Sequence, residues 1–270
     1  MHESNRQRWQ RVTANFALRI GLCAGPLLHF NKDKMMSNIL QSNSIPSADG
    51  LAQNPMLPEV RALNLYAGLG GNRKKWTGVN VTAVEMEPEI AEVYQKENPN
   101  DTVIIGDAHQ YLLDHSDEFD FVWTSPPCQT HSRMAKATRH KLKRYSDMSL
   151  YQEIIFLQHF FKGKWVVENV KPFYEPLVKP TAILGRHYFW SNFFIPQFNT
   201  PEQPKGFITK GTAKETEELK KWLGIHYEGN IYYKDNHCPG QVLRNCVHPD
   251  LGQHVFNASN RKELSLFAGW

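Results

Sequence analysis

The stretch LNLYAGLGG at residues 63–71 sets an apolar run directly before Gly68, Gly70 and Gly71. A run of this kind reads as a buried strand delivering a tight glycine turn. Working outward, short β-branched or apolar runs recur at 62–66, 81–85, 102–105, 119–124, 165–168 and 187–195. Helical patterns lie between them, notably at 89–97 and 147–161. In the second of these, Tyr151, Ile154, Ile155 and Gln158 fall at i, i+3, i+4 and i+7 and are expected to face a sheet. This alternation predicts an α/β, Rossmann-like fold around a mainly parallel sheet. The rhythm gives way at 196–240 to a segment rich in Gly, Pro, Lys and Thr, expected to be a small insertion.

The chain has 270 residues, of which 41% are hydrophobic and 12% aromatic, enough to bury a full core and too apolar for wholesale disorder. No uninterrupted apolar run approaches the roughly 18 residues of a membrane span, so no membrane association is expected. The formal charge of +4 invites a nucleic-acid reading, but its location undercuts that argument. Residues 1–34 hold Arg6, Arg8, Arg11, Arg19, Lys32 and Lys34 against Glu3 and Asp33, and the remaining 236 residues balance at 25 basic against 25 acidic.

The apolar stretch 16–30 is interrupted by Arg19, Gly25 and Pro26, a poor signal peptide. An import segment, a disordered tail and an over-extended reading frame, with Met35 or Met36 as the start, stay open. Residues 35–58 read as a linker, so 1–59 are expected to lie outside the folded domain, 60–256 to form it and 257–270 to be a tail. Cys23, Cys128, Cys238 and Cys246 form no CxxC pair, which suggests free thiols in a reducing, cytoplasmic compartment. His237, Cys238, Cys246 and His248 fit no familiar zinc spacing, and no metal is expected.

Three successive strand ends carry polar groups suited to a nucleoside. The glycine turn lets a ligand approach the first strand, Glu85 at the second can accept from two ribose hydroxyls, and Asp107 after the third can accept from an adenine amino group. Asp107 is equally readable as a helix cap. A dinucleotide fingerprint would place another glycine where Arg73 stands, which favours a cofactor without a pyrophosphate.

The fourth strand runs into Thr124-Ser125-Pro126-Pro127-Cys128-Gln129. Two prolines stiffen the chain where an open α/β sheet binds its ligands, so Cys128 is expected to project into the crevice as a nucleophile. Arg133, Lys136, Arg139, Lys141, Lys143 and Arg144 follow it with no acid from Gln129 to Ser146, and are expected to lower its pKa and to meet phosphates. By contrast, residues 85–120 hold eleven acids against the single base Lys96. The next apolar strand ends in Val166-Val167-Glu168-Asn169-Val170, so Glu168 should reach the crevice that holds Cys128 and can hold or donate a proton there.

Taken together, these motifs resemble the DNA cytosine C5 methyltransferases from about Arg61 to Phe256, in the family's order. LNLYAGLGG at 63–71, VEMEPEIAEVY at 84–94 and GDAHQYL at 106–112 are similar to the three cofactor motifs. SPPCQTHS at 125–132 resembles the nucleophile motif, VVENV at 166–170 the glutamate motif, and RNCVHPDLGQHVF at 244–256 the closing cofactor helix. The resemblance implies a Rossmann-like methyltransferase fold that uses S-adenosylmethionine, with 196–240 as a short target-recognition insertion. It implies that Tyr66, Gly68, Leu69, Gly70, Gly71, Glu85, Met86, Asp107, Ala108 and Asn245 hold the cofactor, Tyr66 and Met86 lying against adenine. It further implies attack of Cys128 on C6 of a cytosine flipped out of double-stranded DNA, with Glu168 on N3 and a base removing the C5 proton.

This chain departs from the family's usual paired arginines. In LGRHYFWSNF, residues 184–193, only Arg186 is a candidate for the cytosine contact. The insertion is short, about 45 residues between Ile195 and Gln241, so a specificity partner or a cognate restriction enzyme enters as a candidate partner. A bacterial or phage source fits such an enzyme. A tRNA cytosine C5 methyltransferase and a catalytically weak DNA-binding paralogue remain the alternatives, while an amino-group methyltransferase would carry an aromatic residue where Cys128 stands.

Overall fold

The period-two burial of the central strands decides the architecture. In β1 (Val60–Leu65), Ala62, Leu63 and Leu65 are fully buried, and in β4 (Phe121–Thr124) all four residues are buried. Alternate residues serve opposite cores: Ala62, Phe121 and Trp123 enter one apolar cluster, Leu63, Leu65 and Val122 the other. Strands buried on both faces must be covered on both, which is the signature of a doubly wound α/β sheet. In the computed structural model, residues 59–132, 145–204, 213–233 and 238–261 are described; residues 1–58, the basic run from Arg133 to Arg144 and residues 262–270 lie outside them, and the last helix continues to Ser259, three residues into the expected tail.

The remaining elements are β2 (Val79–Glu85), α1 (Pro88–Glu97), β3 (Thr102–Ile105), α2 (Ala108–His115), α3 (Ser149–Phe160), β5 (Lys164–Val170), β6 (Ala182–Leu184), β7 (His187–Ser191), α4 (Ala213–Leu223), α5 (Gly240–Arg244) and α6 (Pro249–Ser259). The seven strands form one sheet in the order β3-β2-β1-β4-β5-β7-β6. The pairs among β1 to β5 are parallel, and β7 runs antiparallel to both β5 and β6. The chain therefore reverses direction across β1, with β2 on one side and β4 on the other, and the carboxyl ends of β1, β2, β4 and β5 open on one edge.

Two of the expected boundaries shift for identifiable reasons. The stretch 119–124 begins its strand at Phe121 because the Phe119 N–H closes a 3-10 turn onto Ser116. Strand β7 stops at Ser191, whose hydroxyl bonds the Phe193 carbonyl, and Phe194 points into solvent. Strand β6 was not anticipated. Helix α3 forms where expected, but its buried face is Leu150, Tyr151, Glu153, Ile154 and Leu157, whereas Ile155 is half exposed.

Helices α2 and α3 cover one face through Leu112, Leu150, Ile154 and Leu157. Helix α6 covers the other through Leu251, Val255 and Phe256, the last stacked on Trp76 at 4.7 Å between ring centroids. The Trp76 indole N–H donates to the Gly252 carbonyl at 3.1 Å, and a Cβ on Gly252 would sit 2.1 Å from the Asn72 carbonyl oxygen. This contact seats α6 against the segment that follows the glycine turn. Among the described residues no helix is long and apolar enough to cross a membrane.

Candidate active site

The first two strand ends are wired together by backbone. The Ala67 N–H donates to the Val84 carbonyl, the Gly68 N–H to Glu85 Oε2 at 2.8 Å, and the Gly106 N–H to the Glu85 carbonyl. Glu85 Oε1 accepts from the Met86 and Glu87 N–H groups at 3.0 and 3.1 Å. Burial pushes the Glu85 carboxyl up while these three donors oppose it. A carboxylate offers about four lone-pair positions, so acceptor capacity is left on Oε2 for a ligand hydroxyl.

The turn itself is shaped for close approach. Gly68 adopts φ +54, and a Cβ there would meet nothing within 4 Å, so the backbone faces open space. A Cβ on Gly71 would lie 2.4 Å from the Val247 carbonyl oxygen, which brings the start of α6 and the preceding Asn245 close to the turn. Asn245 caps α5 and accepts from Gln241 at 2.7 Å. Leu69 is buried among α1, α4 and α5 residues, supporting the turn from behind. Met86 and Ile105 leave large apolar side chains exposed at the ends of β2 and β3. Open glycine backbone, a residual carboxylate acceptor and exposed apolar side chains together fit a nucleoside such as that of S-adenosylmethionine.

Asp107 caps α2, its Oδ1 accepting from the His109 and Gln110 N–H groups at 2.9 and 3.2 Å, as the capping alternative anticipated. Ala108 is buried behind it. Tyr66 has a strained φ of +53 and donates its hydroxyl to Glu153 Oε1 at 2.6 Å. Glu153 is the residue that sequence reading missed. It is fully buried on α3, Thr124 donates to its Oε2 at 2.6 Å, and His109 Nδ1 lies 3.1 Å from Oε1. One carboxylate thus ties together β1, β4 and α2 beneath the ligand edge, and the hydrogen bond raises the His109 pKa. The visible signal was an acid one helical turn from Leu150 and Leu157 in an otherwise apolar α3.

Cys128 follows β4 on a stiffened path. The Asn169 side chain donates to the Pro126 carbonyl at 2.9 Å, pinning the two-proline loop to β5, and the His131 and Ser132 N–H groups close a turn onto the Cys128 carbonyl. The chain leaves the described residues at Ser132 and returns at Tyr145, and the Asp147 N–H bonds Thr130 Oγ1 at 2.8 Å. Thr130 and Asp147, on either side of the undescribed residues, are therefore joined close to Cys128.

The basic neighbours expected to lower the thiol's pKa lie outside the described residues, and the groups that are described act the other way. Burial and the charge of Glu168 push Cys128 up to about 11, and among the described residues Arg186 is the cation that opposes them. The six residues expected to act on it lie in the undescribed stretch.

Glu168 is buried near the end of β5, one position beyond the residue that pairs with Thr124. His187 Nδ1 lies 2.6 Å from its Oε1. Arg186 lies on the far side of that imidazole, its Nε donating to His187 Nε2 at 3.2 Å and its Nη2 to the carbonyl of Arg244 at the end of α5. The structure thus brings Cys128, Glu168 and Arg186 into one electrostatic neighbourhood, with Arg186 committed to His187 and α5. Cys246 is buried with its thiol directed at the Val242 carbonyl, His248 caps α6, and among the described residues no group of three side chains could hold a metal.

No curated protein matches the chain. Among solved structures, a Spodoptera frugiperda DNMT2 mutant is 23% identical over 42% of this chain and 36% of its own, with a TM-score of 0.32. The Entamoeba histolytica methyltransferase EhMeth is 15% identical over 42% and 39%, at 0.30. A SAM-dependent methyltransferase from Agrobacterium tumefaciens is 13% identical over 43% and 40%, at 0.30. The match therefore spans well under half the length of each. Residues 60–179, which hold the glycine turn, Glu85, Cys128 and Glu168, match the family model for C-5 cytosine-specific DNA methylase.

Proposed function

We propose that the protein is a DNA cytosine C5 methyltransferase, with residues 60–256 as its catalytic domain and 196–240 as a reduced target-recognition insertion. The observation that carries this reading is the convergence of Cys128 and Glu168 from adjacent strand ends, within reach of each other's charge and on the same sheet edge as the glycine turn. S-adenosylmethionine, when bound, supplies an electrophilic methyl group. Glu85 and the Gly68 to Gly71 backbone would hold its ribose side, and Tyr66, Met86, Asp107 and Asn245 would hold the remainder.

Cytosine C5 is a poor nucleophile until the ring is dearomatised. Cys128 attacks as the thiolate, its proton having passed to water; as the Sγ–C6 bond forms, the C5–C6 π pair moves between C4 and C5, the C4–N3 π pair moves to N3, and N3 takes a proton from Glu168. The ring is then an enamine whose C5 can accept an electrophile. Loss of the C5 proton to a base re-forms the C5–C6 π bond and expels the thiolate, and N3 returns its proton to Glu168, which restores the ring and the acid. Duplex geometry hides C6, so the cytosine must leave the stack, and the cations of the basic run that follows Cys128 in sequence would hold the opened DNA by its phosphates.

The test is transfer of label from S-adenosylmethionine to duplex DNA, with trapping on 5-fluorocytosine DNA. A covalent adduct that Cys128→Ser abolishes is the expected result. An adduct surviving in that variant removes Cys128 as nucleophile, and label found on tRNA alone moves the substrate to RNA.

A further inference from the structure

The family's cytosine chemistry assigns no task to an imidazole, yet His187 stands directly behind Glu168. Strand pairing explains why it reaches. Glu168 lies opposite Phe189, and His187 is two residues along β7, so it occupies the diagonal position on the same face of the sheet. Both side chains are almost completely buried, where an unsatisfied polar atom is costly.

The partners of the ring fix its proton. A guanidinium has only donors, so Arg186 Nε, 3.2 Å away, requires Nε2 to accept. A ring that accepts at Nε2 carries its hydrogen on Nδ1, and that hydrogen points at Glu168 Oε1, 2.6 Å away. The result is a one-way chain of donors from Arg186 through a neutral His187 to Glu168. Arg186 is anchored at its other end by the Arg244 carbonyl, so the direction of this chain is fixed by α5 as well as by β7.

We propose that His187 is a positioning residue that fixes Glu168 with Oε1 as an acceptor and leaves Oε2 as the oxygen that exchanges a proton with cytosine N3. This rests on the cytosine C5 methyltransferase reading. Without the Nδ1 donor either oxygen could carry the proton and the carboxyl could rotate. Arg186 then acts on the cytosine step through His187, a route different from the direct base contact expected from sequence.

The experiment compares His187→Leu, which removes the donor, with His187→Asn, whose amide nitrogen stands near the position of Nδ1. With duplex DNA and S-adenosylmethionine, His187→Leu is expected to lower kcat about 10- to 100-fold, the cost of losing a hydrogen bond to a charged group. KM for the cofactor stays near that of the unaltered protein, and His187→Asn recovers most of the rate. In a Glu168→Gln background, His187→Leu adds little further loss, because both changes act on one unit. Nitrogen-15 NMR of the unaltered protein reads the proton directly, with His187 expected as the neutral Nδ1–H form. An imidazolium, an Nε2–H form, unchanged kcat in His187→Leu, or equal losses in the Leu and Asn variants would each overturn the proposal. An unaltered protein that labels no cytosine, while NMR shows the expected tautomer, would mark failure of the functional reading and leave His187 as the orienter of Glu168.

Discussion

Cys128 meets opposing influences that decide how it can act. Removal from water disfavours the thiolate, the Glu168 carboxylate repels it, and Arg186 only partly offsets them, so the thiol is pushed up to about 11. A thiol raised this far stays protonated at neutral pH in the free protein, and its reactivity rises as pH climbs toward that value. Alkylation of Cys128 by iodoacetamide, followed by mass spectrometry, is expected to accelerate about tenfold per pH unit from about pH 7 to 10 without a plateau. Glu168→Gln removes the repelling charge and moves the curve to lower pH. A plateau below about pH 8 in the unaltered protein would show that the undescribed basic run already depresses the thiol. From sequence, six nearby cations outweighed everything else. The two groups that raise the pKa, a buried setting and a carboxylate forty residues away, become visible only once β4 and β5 lie side by side.

Among the elements, α3 shows most clearly where pattern and structure part. Apolar periodicity favours Ile155 for the buried face and treats Glu153 as solvated, yet Ile155 is half exposed and Glu153 is fully buried. Hydrogen bonds decide the outcome: hydroxyls from Tyr66 and Thr124 and the imidazole of His109 converge on Glu153, and only an acceptor satisfies all three. The parallel strands were legible because burial on both faces writes itself as unbroken apolar runs. Strand β6 was not, since three residues at the sheet edge after Pro180 carry no periodicity to read. The strand-end residues Glu85, Cys128 and Glu168 were legible because motif and strand coincide. Glu153 and His187 were hidden because their partners come from other elements.

Glu153→Gln keeps the shape but presents an amide where three donors point. It is expected to lower unfolding free energy by about 2–3 kcal/mol in urea titrations, against about 1 kcal/mol for Tyr66→Phe, which removes a single bond. Equal stability of Glu153→Gln and the unaltered protein would show that the three contacts do not hold the β1, β4 and α2 ends together.

Over the whole molecule, charge is divided along the chain in a way that its total conceals. The +4 excess belongs to residues 1–34, and the rest balances, but that balance sets the acids of 85–120 against a basic run that starts beside Cys128. The acidic part runs from the end of β2 past α2, where Glu85 receives backbone donors and Asp107 caps a helix, so two of these charges stand at the strand ends proposed to hold the cofactor. The basic part lies in sequence between Thr130 and Asp147, which a hydrogen bond joins close to Cys128, the proposed nucleophile. Each phosphate neutralised contributes about 0.9 to the slope of log affinity against log salt for duplex DNA. Changing Arg139, Lys141, Lys143 and Arg144 together to Gln is therefore expected to flatten that slope by up to about 3 to 4 and to weaken binding at low salt, measured by fluorescence anisotropy with a labelled duplex. Deleting residues 1–34 is expected to leave both the slope and the rate of methyl transfer unchanged. If the deletion flattens the slope and the four substitutions do not, the DNA is held by the N-terminal cations, and the neutral balance of the remaining chain describes a domain that meets its substrate through them.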